Sequence, residues 1–540
     1  MFRKPKAIFE TEFVAMTLKT LLHDVSYKIL QMGSGGISRE ISSVTIDSRK
    51  VTAGGLFICV LGLTVDGHQY IEAAAQAGAA AIIVEEFIER LLWPENSGRI
   101  YPRPPGYTAQ NRTGYPQGVT IIQVGNTRQA MAYIAANLYN RPAEKLSLIG
   151  VTGTNGKTTT THFIEEMLRG CGYKTGLIGT NGARVGESLI SIPFATSTTP
   201  DPLELQEILA YMVTQGVKYV VMEVSSHALA LFKMEGLAFD VGVFTNLTQD
   251  HLDIHGTMDN YRLAKAQMFA QSKFAVLNMD DESSTEMLRH HGFGPYLTYG
   301  LEKEADLWAI HINYQPEKTV FELSDEPPGY SYTLHPKGKF NIYNALAAMG
   351  TARALGLDAL EPGINPQDSR REIIRKAVSN LRGVPGRIQD VPNNRGVHVL
   401  VDYAHSPDGV KNIISSVREF TSGQIVIILG CGGDRDKTKR PEMGRIAGDM
   451  ADYCILTSDN PRTEDPFVII SDIEEGVRAT GATYEICENR RDAIFMGVRM
   501  LSAGDALIIA GKGHEDYQII GTVKYDFSDY GMAVEALLEL

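Results

Sequence analysis

Cysteine, tryptophan and long apolar runs are all scarce in this sequence, and it has no excess of positive charge. Five cysteines in 540 residues, at 59, 171, 431, 454 and 487, form no close C-x-x-C pair. Scattered and odd in number, they read as reduced thiols of a cytosolic protein, not as a disulfide framework or a zinc site. Aliphatic stretches such as 79–84 fall far below the ~18 residues needed to cross a bilayer. The basic start, MFRKPKAIFETEF, lacks the apolar run of a signal peptide. A cytoplasmic protein without membrane insertion is therefore expected. Lys plus Arg number 51 against 64 Asp plus Glu, a formal net charge of −13. That balance argues against a nucleic-acid or anionic-membrane partner.

What is present is an ordinary soluble composition, 44% hydrophobic and 21% charged, in a chain long enough for about three or four domains. Residues 1–15 precede the first amphipathic pattern, which begins near Met16, and are expected to be a frayed extension. Residues 16–143 alternate short β and α stretches (VTIDSRKV, GGLFICVLG, IEAAAQAGAA, AAIIVEE) and predict a small N-terminal α/β domain. Its pattern collapses over 94–118, where five prolines and no periodicity predict an irregular insertion. Residues 144–380 run from the strand-like LSLIGVTG through a glycine-rich turn into a helix, then through KYVVMEV, DVGVFTNL and FAVLNMD. Alternating βα units of this kind predict a central P-loop domain with a mainly parallel sheet. The alternation restarts over 381–540 (VHVLVDYAH, QIVIILGCGG, YCILTSDNPR, ALIIAGKGHE) and predicts a C-terminal Rossmann-like domain. The fold class is thus α/β in three domains. Each of the last four runs ends on a polar turn, where open α/β sheets bind ligands.

The turn Gly153-Thr154-Asn155-Gly156-Lys157-Thr158-Thr159 has the chemistry of a phosphate loop. Its amides and the following helix N-terminus favour an anion. Lys157 would reach the β/γ-phosphates and Thr158 would hold Mg²⁺. The first glycine of the longer pattern would fall at 151, where valine stands, so the loop is a shortened variant. Glu223 ends the next apolar strand, and His251 follows the one after it. A carboxylate and an imidazole there suit Mg²⁺ whose remaining ligands are phosphate oxygens and water, although either residue alone is more often structural. Lys265, in DNYRLAKAQMFAQSK, taken alone reads as a snorkelling surface lysine.

GTNGKTTT resembles the phosphate loop of the Mur ligases and their folylpolyglutamate synthetase relatives, which use ATP to join a carboxylate to an amine. The resemblance runs from Met16 onward. DHLD-H-G followed by Y-x-x-x-K implies that Lys265 is carbamylated by CO₂, becoming an anion that supports metal binding. The resemblance further implies Asn341 and Asn344 near the adenine, Arg387 of VPGR on the phosphates, and Asp402 of VDYAHSPD, with His405 nearby, on the ribose or in a positioning contact. Asp459-Asn460-Pro461-Arg462 is similar to the signature of the branch that adds meso-diaminopimelate. A guanidinium can clamp the second carboxylate, which lysine lacks. Arg435, Gly511 and Glu515 match the remaining amino-acid contacts. Ser48, Thr198, Thr199, Ser225 and Lys233 match contacts to a UDP-MurNAc-dipeptide. At 233 the family usually has arginine, and lysine keeps the charge without the planar fork.

The implied reaction uses ATP and one or two Mg²⁺ ions, held by Thr158, Glu223, His251 and the Lys265 carbamate. The D-glutamate carboxylate of UDP-MurNAc-L-Ala-D-Glu would be phosphorylated, and the acyl phosphate attacked by meso-diaminopimelate. ADP and phosphate would leave, and the product would serve peptidoglycan synthesis, and so cell shape and division. A monomer is expected. The rival readings are the same reaction with L-lysine or another diamino acid, and a P-loop ATPase without ligation.

Overall fold

The computed structural model describes residues 16–62, 65–85, 115–192, 198–315, 317–357 and 370–539. The extension 1–15 and residues 94–114 of the proline-rich insertion lie outside the described residues. Three large sheets organise the chain, and the α/β class with mainly parallel sheets is as the alternation predicts.

The first sheet has the order Tyr27–Gln31, Thr120–Val124, Ala81–Glu85, Leu56–Ile58, Val44–Thr45, antiparallel at its first pair and parallel elsewhere. The apolar run Ala81–Glu85 is buried throughout, as a strand covered on both faces must be. Helix Thr127–Leu138 follows, capped by Asn126, whose side chain accepts from Arg128 N and Gln129 N.

The second sheet has eleven strands. Its parallel heart runs Thr175–Gly179, Tyr219–Glu223, Ser147–Thr152, Phe239–Phe244, Ser272–Asn278. Antiparallel strands extend both edges, including Thr319–Leu323 and Ser331–Leu334, which the βα pattern did not anticipate. Strand Ser147–Thr152 lies between the strands that end at Glu223 and Phe244, so three strand ends meet at the phosphate loop. Ile149 and Val151 pack with helices Lys157–Gly170 and Lys339–Ala354, and Leu148 packs on the opposite face. Gly150 lets helix Met258–Ala270 approach closely, because a Cβ there would lie 2.9 Å from Met268 Sδ. That approach brings Lys265 to the phosphate loop.

The third sheet runs Gln389–Asp390, His398–Asp402, Ala506–Ala510, Ile425–Leu429, Tyr453–Leu456, Tyr484–Ile486, all parallel after the first pair. Strand Ala506–Ala510 is the last of this sheet's strands in sequence but is central in the sheet. Its carboxyl-end residues therefore fall between loops from both halves of the domain. A hairpin, Tyr517–Ile520 with Val523–Asp526, follows it. All five cysteines are free thiols. No helix among the described residues is long and apolar enough to cross a membrane.

Candidate active site

Gly156, at φ 85°, caps helix Lys157–Gly170 in a left-handed conformation. The loop before it is clamped by the segment after Phe244. Thr245 Oγ1 donates to Asn155 O at 2.7 Å, and Asn246 Oδ1 accepts from Asn155 N at 2.9 Å. Thr154 N donates to Asn246 O. Sequence reasoning quoted Thr245 and Asn246 without giving them a role, and polar residues directly after an apolar strand were the available signal.

Two lysines converge on one carbonyl. Lys157 Nζ donates to Gly153 O at 2.9 Å and Thr154 O at 2.8 Å, and Lys265 Nζ donates to Gly153 O at 2.7 Å. Lys265 is 1% exposed and lies 4.4 Å over the Tyr261 ring. The structure thus corrects the surface reading of Lys265. Burial, and then the neighbouring Lys157 charge, hold its amine well below the ordinary lysine range. Burial also lowers Lys157.

Glu223 is buried beside Thr158. Its Oε2 accepts from Thr158 Oγ1 at 3.0 Å, and its Oε1 from Thr180 N at 2.8 Å. Thr158 and Glu223 are hard oxygen donors at a helix N-terminus and suit Mg²⁺. His251, at φ 53°, is grouped with His227, ring centroids 5.1 Å apart, and with Tyr261 at 6.2 Å. His255 lies beneath, its Nε2 3.0 Å from Ser226 Oγ, and burial pushes it down to about 3. Among the described residues no three or more His, Cys, Asp or Glu side chains converge as a metal site. A cation here would need phosphate oxygens and water as further ligands.

Asn344 Oδ1 accepts from Thr160 Oγ1 at 3.0 Å, and Asn344 Nδ2 donates to Asn341 Oδ1 at 3.2 Å. Asn341 in turn donates to Lys337 O. Both asparagines are buried against the loop's helix, and Thr159, in that helix's first turn, is buried too. From the third domain, Arg387 Nη2 reaches Thr158 Oγ1 at 3.4 Å while its guanidinium lies 4.8 Å from the Tyr403 ring centroid. Asp402 accepts from Ile388 N and Ala404 N, so it shapes the turns around Arg387. His405 is exposed, its Nδ1 lying 2.7 Å from Tyr403 O.

The sugar-side residues scatter more widely. Thr199 Oγ1 donates to Glu223 O at 3.0 Å and to Ser225 Oγ at 3.2 Å. Ser225 also caps the short helix Ser226–Ala230, and Thr198 Oγ1 lies 3.3 Å from Thr180 Oγ1. Lys233 is buried and paired with Asp201 at 2.8 Å, which ties it to the Thr198–Asp201 turn. Ser48 opens a 3-10 turn capped by Asp47, in the first domain.

At the carboxyl edge of the third sheet, Asp459-Asn460-Pro461-Arg462 meets Gly511 and Glu515. Gly511, at φ 113°, has no room for a side chain, since a Cβ would lie 2.5 Å from Asp459 Oδ2. Burial raises the Asp459 carboxyl. Asn460 Nδ2 donates to Glu515 Oε2 at 2.8 Å. Arg462, itself at φ 52°, donates from Nη1 to Gly433 O at 2.8 Å and exchanges backbone hydrogen bonds with Ile519 and Gly521 of the hairpin. Pro461 packs its carbonyl against Gly433. Arg435 is exposed and donates to Asp434 O at 3.2 Å. Sequence reasoning missed Lys512, which has no exposed side-chain surface. Its Nζ donates to Glu515 Oε2 at 2.9 Å and Asn460 Oδ1 at 3.2 Å.

Fold and site together define a nucleotide-binding α/β protein whose third domain reaches over a phosphate loop. Three family models cover most of the chain: Mur ligase family, catalytic domain, at 40–139; Mur ligase middle domain at 151–352; and Mur ligase, glutamate ligase domain, at 386–513. The chain belongs to the Mur ligase family. It is 42% identical to the UDP-N-acetylmuramoyl-L-alanyl-D-glutamate–2,6-diaminopimelate ligase of Geobacillus thermodenitrificans, over 97% of this chain and all of the relative. The like-named protein of Bacillus cereus is 41% identical over 92% of this chain and 94% of its own length. A solved structure of that name superposes with a TM-score of 0.64 at 29% identity, covering 97% of this chain and 99% of its own. MurF from Acinetobacter baumannii shares the fold, with a TM-score of 0.55 at 17% identity, over 98% of this chain and 99% of that one.

Proposed function

We propose that the chain adds meso-2,6-diaminopimelate to the D-glutamate of UDP-MurNAc-L-Ala-D-Glu at the expense of ATP, in the cytoplasm and as a monomer. The observation that carries this reading is the reach of Arg387 from the amino-acid-binding domain to Thr158 of the phosphate loop. Arg387 Nε is buried without a hydrogen-bond partner, a donor suited to an anionic oxygen. ATP would lie along the loop with Lys157, Arg387 and the helix N-terminus facing its phosphates, and with Asn341 and Asn344 behind. Thr158, Glu223 and His251 would hold Mg²⁺, which supplies charge neutralisation on the phosphates.

The D-glutamate carboxylate attacks the γ-phosphorus and ADP leaves. The amine of diaminopimelate then attacks the acyl phosphate carbon, loses a proton and expels phosphate. Most of the rate enhancement is alignment of reactants held by different domains. The lowered Lys265 amine is the nucleophilic form for CO₂, and its carbamate would bring an anion to the metal in place of a cation. Ser48, Thr198, Thr199, Ser225 and Lys233 would line the UDP-sugar path, Lys233 as the partner that fixes Asp201. In the amino-acid site Arg462 and Arg435 would face the distal carboxylate, and Glu515 the distal ammonium. Gly511 leaves room for Asp459.

The test is phosphate release. Release that requires both UDP-MurNAc-L-Ala-D-Glu and the amine supports ligation. Release independent of both supports an ATPase instead.

A further inference from the structure

Helix Pro407–Arg418 follows strand His398–Asp402 in the third domain and is capped by Ser406. Asp408, in its first turn, reaches out of that domain. Its Oδ2 accepts from Asn155 Nδ2 at 2.7 Å, from Thr248 Oγ1 at 2.7 Å, and from Asn412 Nδ2, one turn on, at 3.0 Å. Asn155 is part of the phosphate loop. Thr248 stands three residues before His251, and its backbone N–H donates to Thr154 Oγ1 at 3.0 Å. A single oxygen therefore joins the third domain, the phosphate loop and the loop that carries His251.

The three donors are uncharged, and the carboxylate sits in the first turn of a helix, where the dipole favours an anion. Such a contact can form and break without separating a buried ion pair. It suits a domain that docks and undocks in each cycle.

We infer that Asp408 is a positioning residue for ligation, the anchor through which docking of the third domain fixes the phosphate loop and the His251 loop together. The inference rests on the reading that separate domains bring ATP and amine to one point, and not on which amine is used. Misplacement by about 1 Å in such an arrangement costs up to roughly a hundredfold in rate.

The test compares Asp408→Ala, Thr248→Val and the double variant in the full chain. It measures kcat, the KM of each substrate, the Kd of a non-hydrolysable ATP analogue and the melting midpoint. Asp408→Ala is expected to lower kcat about tenfold or more, with the ATP-analogue Kd unchanged. Thr248→Val should lose less, and the double variant should be no slower than Asp408→Ala, because both remove one contact. A normal kcat for Asp408→Ala, or losses that simply multiply, would overturn the inference. So would an equal loss of nucleotide affinity, which would place Asp408 inside the nucleotide site. If Asp408→Ala does not fold, Thr248→Val decides: reduced kcat with normal nucleotide affinity supports the anchor, and unchanged kcat removes it. A wild-type chain that makes no product with any amine would defeat the ligase reading itself, a separate result.

Discussion

A buried lysine is costly unless something uses it, and the active region holds two that sequence pattern alone would place at the surface. Lys265 gains nothing from solvent, sits against Tyr261 and shares the Gly153 carbonyl with Lys157. Lys265→Ala should abolish turnover, with partial recovery on addition of acetate or formate as a small replacement anion. Near-normal turnover without additive would rule out the proposed carbamate. Lys512 pairs with Glu515 and holds the Asn460 amide. Removing one partner of a buried pair costs roughly 3–5 kcal/mol. Lys512→Met should therefore lower the melting midpoint and raise the KM for diaminopimelate while leaving the KM for ATP unchanged. Arg462→Ala should raise the KM for diaminopimelate by about 10- to 100-fold, the worth of a hydrogen bond to a charged group. Steady-state kinetics with each substrate varied in turn separates these effects.

At the scale of elements, the proposed amino-acid site is two loops and a hairpin locked together. Arg440 is fully buried and joins Glu464 at 3.0 Å to Asp472 at 2.9 Å. Glu464 also accepts from Lys437 and from Asp434 N. Arg440 first, then these two, hold the Glu464 carboxyl down to about 2 from an ordinary 4.5. A depressed carboxylate stabilises the fold fully above its unfolded pKa and loses that contribution as pH falls from about 4.5 toward 2. Glu464→Gln should melt lower than wild type at pH 7, and the gap should narrow as the pH falls below 4.5. A gap that is constant with pH would contradict the ion-pair account. Gly511→Ala should raise the KM for the amino acid, since the new Cβ would displace Asp459.

Much of this was legible locally. The strand, glycine turn and helix of the phosphate loop obey fixed spacing, and so do the strand ends at Glu223 and Ala510. The partners of Lys233, Asp408 and Lys512 were not legible in the same way, because a contact between distant segments leaves no periodic trace. The hairpin 517–526 escaped because Ile520, Val523 and Tyr525 are about half exposed and follow no βα rhythm.

At the scale of the molecule, the proposed reaction brings two anionic reactants, the nucleotide and the UDP-sugar, and a zwitterion with two carboxylates to a chain of net charge −13. Attraction would then be local, through the loop's helix terminus, Lys157, Arg387 and Arg462, against a net acidic chain. On the proposed reading, nucleotide and amine chemistry would occupy the carboxyl edges of two different sheets, and catalysis would depend on those edges facing each other. Arg387 and Asp408 both cross from the third domain to the phosphate loop. The identity of the amine separates the proposed reaction from its nearest rival. The most direct measurement supplies ATP, UDP-MurNAc-L-Ala-D-Glu and an equal mixture of meso-diaminopimelate and L-lysine, then reads the nucleotide product by mass spectrometry. The expected product is the diaminopimelate adduct, with ADP and phosphate and essentially no lysine adduct. Comparable incorporation of lysine would contradict it.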